Sequence, residues 1–372
     1  MVSNQSRAAS DVGAAEKVRR LAQPCAYAPA PSRVEVMETH MSYVFLAGER
    51  VYKLKKPVRF AFLDFSTLAA READCREELR LNRRLAPGVY LDVVPLTLSP
   101  AGDLSLRGDG EVVDWLVEMR RLPSALMLDR LIAEGTLEPT RIDALAKTLA
   151  NFYAHAERTA MTPRDYVARF FREHDETRRL LMCGCAPERA RSGSASLDRE
   201  PSGALVHASA LLDRLEALLV AATPALEERV RAGRVVDGHG DLRPEHICFC
   251  DPIAIFDCLE FNRRLRQVDP FDELAFLDIE CALLGADDFG PRLIAETAAR
   301  LGDAPSPALV SLYGACRAAL RARLAIAHLL DPHPRQPEKW EPLAARYLRL
   351  AEARMAAIGR DEAASRAITS RS

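Results

Sequence analysis

The stretch Asp237-Gly-His-Gly-Asp-Leu-Arg-Pro-Glu-His-Ile-Cys-Phe249, followed by Ile255-Phe-Asp-Cys-Leu-Glu260, decides how this chain is read. Two apolar runs, His246–Phe249 and Ile253–Phe256, have the length and composition of strands, and Asp251-Pro252 supplies the turn between them. Asp241 therefore stands on a short loop ahead of one strand, and Asp257 just beyond the next.

Toward the N-terminus, Arg33–Met37 and Ser42–Leu46 read as strands, Gly48-Glu-Arg50 as a turn and Val51–Leu54 as a third strand, an antiparallel start. With Ser66 as N-cap, Thr67–Leu85 has helical spacing through Leu68, Cys75, Leu79, Leu81 and Leu85, and Pro87 follows. Strands at Tyr90–Leu98 and Glu111–Arg120 complete a sheet-rich region by about Pro123. Beyond it the pattern is mostly helical: Ala125–Glu134, Pro139–Glu157, Leu205–Ala221 and several helices after Phe271. Pro187–Gly203, rich in Ser, Arg and Gly, reads as an exposed loop, and the tail after Gly359 is expected to fray. The expected fold class is α+β. A flexible segment covers 1–29, a small antiparallel sheet lobe with one long helix covers 30–122, a larger helical lobe covers 123–358, and the tail covers 359–372.

Composition narrows the partners. Apolar residues make up 48% of 372, enough for a large core, and the net charge of −2 gives no long-range attraction to nucleic acid or an anionic membrane. No apolar run approaches the roughly 20 residues that span a bilayer, and the first residues lack a signal-peptide apolar stretch. A soluble, cytoplasmic protein with no nucleic-acid or membrane partner is the expectation; oligomeric state is left open. The nine cysteines, an odd number scattered through apolar contexts, point to reduced, buried thiols. Cys183-Gly-Cys185 and Cys248-Phe-Cys250 lack the usual zinc spacing and read as packing residues. The absence of G-x-x-x-x-G-K-[ST] argues against a Walker-type ATPase.

The Asp241 and Asp257 segments resemble the catalytic and metal segments of the aminoglycoside phosphotransferase-like kinases. Glu38-Thr-His, Tyr52-Lys-Leu-Lys-Lys-Pro57, Phe62-Leu-Asp-Phe-Ser66 and Leu81-Asn-Arg-Arg-Leu-Ala-Pro87 extend the resemblance over about Ser32–Leu330, to a subgroup of uncertain substrate. It implies a protein-kinase-like, two-lobed fold with ATP in the cleft, Mg²⁺ as cofactor and a hydroxyl on a small polar molecule as acceptor. Phosphoryl transfer asks for positioning and charge neutralisation more than covalent chemistry, and the residues suit those tasks. Asp241 would accept the acceptor proton, with His239 bracing its loop, and Asp257 would hold Mg²⁺, since hard cations prefer carboxylate oxygens. The resemblance implies Asn where His246 stands, so His246, Glu245 or Glu260 enters the candidate metal set. Lys53 matches the phosphate-binding lysine. Glu78, sharing a helical face with Leu81 and Leu85, is preferred to Glu77 as its partner, and Lys55 points the same way as Lys53. Thr39 and Ser42 would meet phosphate in the turn between the first two strands. Met119, in a linker Glu118–Pro123, would wall the adenine. Asp272 is expected to cap a helix or to pair with Arg243. Arg317–Arg323 is expected to form a solvated helix face. A catalytically impaired pseudokinase is the rival reading, and a protein kinase ranks last for lack of an activation segment.

Overall fold

The computed structural model describes residues 12–60, 63–184, 207–331 and 334–369. Its contacts divide the chain into two compact units. The first is Met1–Leu131 with His239–Asp241 and Glu245–Arg266; the second is Ile132–Gly238 with Leu242–Pro244 and Gln267–Ser372.

The first unit grows from strands β1 (Val34–Glu38), β2 (Ser42–Ala47) and β3 (Arg50–Lys55), then the short pair β4 (Arg59–Phe60) and β5 (Leu63–Asp64), and then β6 (Tyr90–Leu98), β7 (Leu104–Leu106) and β8 (Glu111–Arg120). Six of these form one antiparallel sheet in the order β1-β2-β3-β8-β6-β7. Successive side chains on a strand face opposite ways, so β3 sends Tyr52 and Leu54 into a core with Phe45, Leu96 and Leu116, while Val51 packs on the other side with Val117 and Met119. Lys53, opposite Val117 in register, shares that second face. Each fully buried large side chain contributes roughly 1.5–3 kcal/mol of transfer free energy to such a core.

Helix α1 (Ala14–Leu21) lies in the segment expected to be flexible, and it is docked. Lys17 is 7% exposed and donates to Asp114 Oδ2 at 2.8 Å and to the Val113 carbonyl at 2.9 Å, while Leu21 is wholly buried. Helix α2 (Leu68–Asn82) packs on β6 and β8. Its N-cap is Thr67, which accepts from the Ala70 amide, and not Ser66, whose hydroxyl and amide are both taken by Asp64. The helix ends at Asn82, three residues short of Leu85.

The hairpin of β10 (Ile247–Cys248) and β11 (Ala254–Ile255) pairs Ile247 with Ile255, as the sequence pattern implies. It is preceded by β9 (Val236–Asp237), which pairs with β12 (Gln267–Val268) in the second unit.

The second unit is otherwise helical. Of the helices foreseen by periodicity, Leu128–Ala133 begins in the first unit, while Pro139–His155 and Ala208–Arg231 belong to the second. The last runs ten residues past Ala221, straight through Pro224. Pro163–Gly184 is a helix that the sequence reading missed, because its charge-dense run Arg169–Arg179 hides the apolar stripe. The final helix, Pro337–Thr369, continues beyond Gly359, where fraying was expected. The expected loop Pro187–Gly203 lies outside the described residues. Cys183 falls in the Pro163–Gly184 helix and its side chain is not described; Cys185 lies outside. Small residues Ala318 and Ala322 of Pro307–Ala327 allow close packing against Ile279, Tyr347 and Leu348. Among the described residues no helix is long and apolar enough to cross a membrane.

Candidate active site

The loop before the hairpin is built on Gly240, whose φ of +89° few other residues adopt without strain. Asp257 stands at φ +61°, unusual for a non-glycine residue and a place where backbone strain collects at working sites. Its amide donates to the Tyr90 hydroxyl at 3.2 Å, and the next amide, of Cys258, donates to Asn82 Oδ1 at 2.9 Å. Neither Tyr90 nor Asn82 has a sequence signal for this service, since both act on backbone far along the chain.

Two histidines lace the Asp241 loop to the Asp257 segment. His239 is fully buried, and its Nε2–H donates to the Phe256 carbonyl at 2.9 Å while Nδ1 accepts from the Asp241 amide at 3.3 Å. Burial, with the His246 ring beside it, lowers its pKa to about 3, so the neutral ring is the working form. His246 Nδ1–H donates to the Asp241 carbonyl at 2.9 Å, which leaves Nε2 3.6 Å from Asp257 Oδ2. An asparagine would set an amide in this place; the imidazole supplies one donor to the loop and turns its second nitrogen toward Asp257. The Asp241 carboxylate is 26% exposed, and among the described residues its Oδ2 lies 3.7 Å from His246 Nδ1.

Lys53 joins this segment to the sheet. Its Nζ meets Glu78 Oε1 and Asp257 Oδ1, each at 2.9 Å. Burial opposes the charge on Asp257, but Lys53 and His246 outweigh it and hold the carboxyl well below the usual range. Glu77, the alternative to Glu78, turns outward to Arg80 at 2.7 Å.

Several expected placements are corrected. Glu260 is bound by Lys55 at 2.5 Å, with Asp74 and Glu78 beside it. Burial raises its pKa to about 7 against the pull of Lys55, as four carboxylates (Asp74, Glu78, Asp257, Glu260) crowd two ammonium groups. Thr39 spends its hydroxyl inside its own turn, accepting from the Ser42 amide at 3.0 Å and donating to the Ser42 carbonyl at 3.1 Å, and Ser42 is 2% exposed. Glu118, Met119 and Arg120 belong to β8 and not to a linker, and Met119 is a core residue packed with Cys75 and Tyr90. Cys248 is buried, Cys250 is half-buried, and both are free thiols; Cys250 Sγ contacts the Cys248 and Pro252 carbonyls. The cap of the helix Pro270–Leu283 is Asp269, not Asp272. Asp272 is gripped by Arg317 at 2.7 and 2.8 Å and by Arg169 at 3.2 Å, while Arg243 faces Glu280. Arg317, Arg321 and Arg323 are all engaged by acids, so the expected solvated face is an internal ion-pair row. Asp74 and Lys55 were the legible signals passed over: Asp74 is one helical turn before Glu78, and Lys55 is two residues beyond Lys53 on β3.

Solved structures that share this fold include kinases. A choline/ethanolamine kinase family protein from Mesorhizobium loti aligns with TM-score 0.51 and 15% identity over 94% of this chain and 98% of that one. Choline kinase from Cryptosporidium parvum aligns with TM-score 0.50 and 11% identity over 93% and 94%. At these identities the likeness is one of fold, and the α+β, kinase-like architecture is the one the sequence resemblance implies. Uncharacterized proteins of Mycobacterium tuberculosis and Mycobacterium bovis are 32% identical over 336 residues, 88% of this chain; the chain spans 62% of their length. No family model matches the chain.

Proposed function

We propose that the chain is an ATP-dependent phosphotransferase that moves the γ-phosphate to a hydroxyl of a small polar molecule. The observation that carries this reading is the shared grip of Glu78 and Asp257 on Lys53, within one hydrogen-bonded frame that also holds Asp241. An ammonium held between two carboxylates is a ready partner for phosphate oxygens: nucleotide binding replaces one anionic partner of Lys53 with another and frees Asp257.

The donor set at Asp257 fits Mg²⁺. Magnesium takes one or two carboxylates, keeps several waters and completes its shell with phosphate oxygens. Asp257 offers a carboxylate that is 44% exposed, and the local excess of acid over base favours a divalent cation. Bound there, the metal would supply neutralisation of charge on the transferring phosphate. The protein's own part is then positional. Asp241, its backbone pinned from both sides by His239 and His246, orients the acceptor hydroxyl and takes its proton, while Lys53 neutralises phosphate charge. Choline, ethanolamine and related polar alcohols, the substrates in the names of the structural neighbours, are the first acceptors to try.

His246 supports a second reading, a nucleotide-binding protein without transfer activity, because imidazole is a poorer partner than oxygen for magnesium. Purified protein screened with Mg-ATP against a library of polar alcohols and sugars separates the two. Acceptor-dependent ATP consumption that Asp241→Asn lowers by about a hundredfold or more, with ATP affinity kept, supports the transferase. ATP binding with no transfer to any acceptor supports the second reading, and wild-type turnover in Asp241→Asn removes Asp241 from the chemistry.

A further inference from the structure

Lys55 is more deeply buried than Lys53 and touches more acids. It is 1% exposed, and its Nζ meets Asp74 Oδ2 at 2.5 Å, Glu78 Oε2 at 2.6 Å and Glu260 Oε1 at 2.5 Å, with the Phe65 ring 5.2 Å away. Asp74 and Glu78 are one turn apart on α2, and Glu260 lies three residues beyond Asp257. One ammonium therefore ties together β3, α2 and the segment that carries Asp257. The three carboxylates offer oxygens within 4.8 Å of one another, close enough to share a cation, and the lysine supplies it.

The division of Glu78 matters most. Lys55 takes Oε2, which fixes the carboxylate rotor and aims Oε1 at Lys53. Through Glu260, the same ammonium anchors the chain just past Asp257, the other carboxylate on Lys53. We infer that Lys55 is a positioning residue, a resident internal cation that aims both carboxylates serving Lys53. It touches neither nucleotide nor acceptor. A lysine that merely fastens α2 to the sheet is the reading this excludes. The inference rests on the phosphotransferase reading above.

The test uses the full chain and two variants, Glu260→Gln and Lys55→Met/Glu260→Gln. The second lowers the acid count along with the base so that the buried cluster stays closer to balance. Calorimetry measures affinity for ATP with and without Mg²⁺, and thermal melting reports folding. Supporting parts of a metal site, when altered, cost roughly 10–100-fold in affinity. Glu260→Gln, which keeps Lys55 on Asp74 and Glu78, should lose that much affinity for Mg-ATP while metal-free ATP binds as before. The double variant, with Glu78 no longer aimed, should weaken both. Cooperative melting in both variants with unchanged Mg-ATP affinity overturns the inference. If the double variant fails to fold, unchanged Mg-ATP affinity in Glu260→Gln overturns it alone. Loss of ATP binding in wild type would instead strike the phosphotransferase reading itself.

Discussion

Asp272 and Asp257 are both aspartates brought to basic partners, yet their surroundings differ in kind. Asp272 is 1% exposed and is held by two guanidinium groups, one of them bidentate. Asp269, wholly buried, is held likewise by Arg229, which also binds Asp303. A planar guanidinium fixes a carboxylate in two directions and cannot lose its proton, so these pairs are permanent joints. Asp257 is half open, with one oxygen on a lysine that Glu78 shares and the other facing an imidazole. An ammonium is a point charge that exchanges one anion for another. The arginine pairs of the second unit hold the helix Pro270–Leu283 in place; the lysine cluster of the first unit leaves Asp257 half open.

The comparison breaks most visibly at Arg229. Arg229→Ala leaves the buried Asp269 carboxylate without its guanidinium, and removal of one partner of a buried pair costs about 3–5 kcal/mol. Denaturant unfolding should read a loss of that size; a change below about 1 kcal/mol, the worth of an exposed pair, would put Asp269 in the exchangeable class.

Asp257→Ala should keep the fold and lose Mg²⁺-dependent ATP affinity by at least about tenfold. Calorimetry with and without Mg²⁺ checks this, and equal Mg-ATP affinity in variant and wild type would remove Asp257 from the metal site.

Titration sharpens the contrast further. The Glu260 carboxyl, raised to about 7, binds its proton more tightly in the folded protein than in the unfolded chain. Its contribution to stability is thus complete below about 4.5 and is lost as pH rises through about 7. His239, lowered to about 3, has the opposite sign: its contribution is present above about 6.5 and fades as pH falls toward 3. Unfolding midpoints measured across this range on wild type and Glu260→Gln should differ, the variant losing the decline between 4.5 and 7. Parallel curves would mean that Glu260 is ionised throughout.

The smallest effect is expected at His246. Asparagine can donate to the Asp241 carbonyl as Nδ1–H does, and it adds an oxygen toward Asp257. His246→Asn should therefore hold or modestly raise turnover with any acceptor found. A large loss at constant ATP affinity would make the imidazole part of the chemistry.

Legibility in the sequence followed the range of the interaction. The hairpin around Asp251-Pro252, the strands β1–β3 and the helix bearing Glu78 follow local period and turn chemistry, and they stand close to where the pattern puts them. The choice of Glu78 over Glu77 also follows, because it depends only on which helical face carries Leu81. Helix ends and caps were less secure: Thr67 and Ser66 are equally good capping residues, and backbone geometry alone selects between them. Pro163–Gly184 was missed for a related reason. Its arginines bind acids on other helices, so its polar positions are spent on tertiary ion pairs and blur the apolar stripe.

What the sequence determined by itself is the inventory: an aspartate on a loop, an aspartate after a hairpin, a lysine on the third strand and a glutamate on the helix face. These follow from spacing along one chain, where side-chain direction is set by a period of two or of 3.6 residues. Only the tertiary structure decided the pairing. It put Glu260 on Lys55, gave Asp272 to Arg317 and not to Arg243, sank Met119 into the core and set Tyr90 and Asn82 under the amides around Asp257. The polar pairings among those choices join residues from 45 to 205 positions apart. No local period carries that information; it is fixed by which buried charges can find a partner once the sheet and the helix have closed on each other.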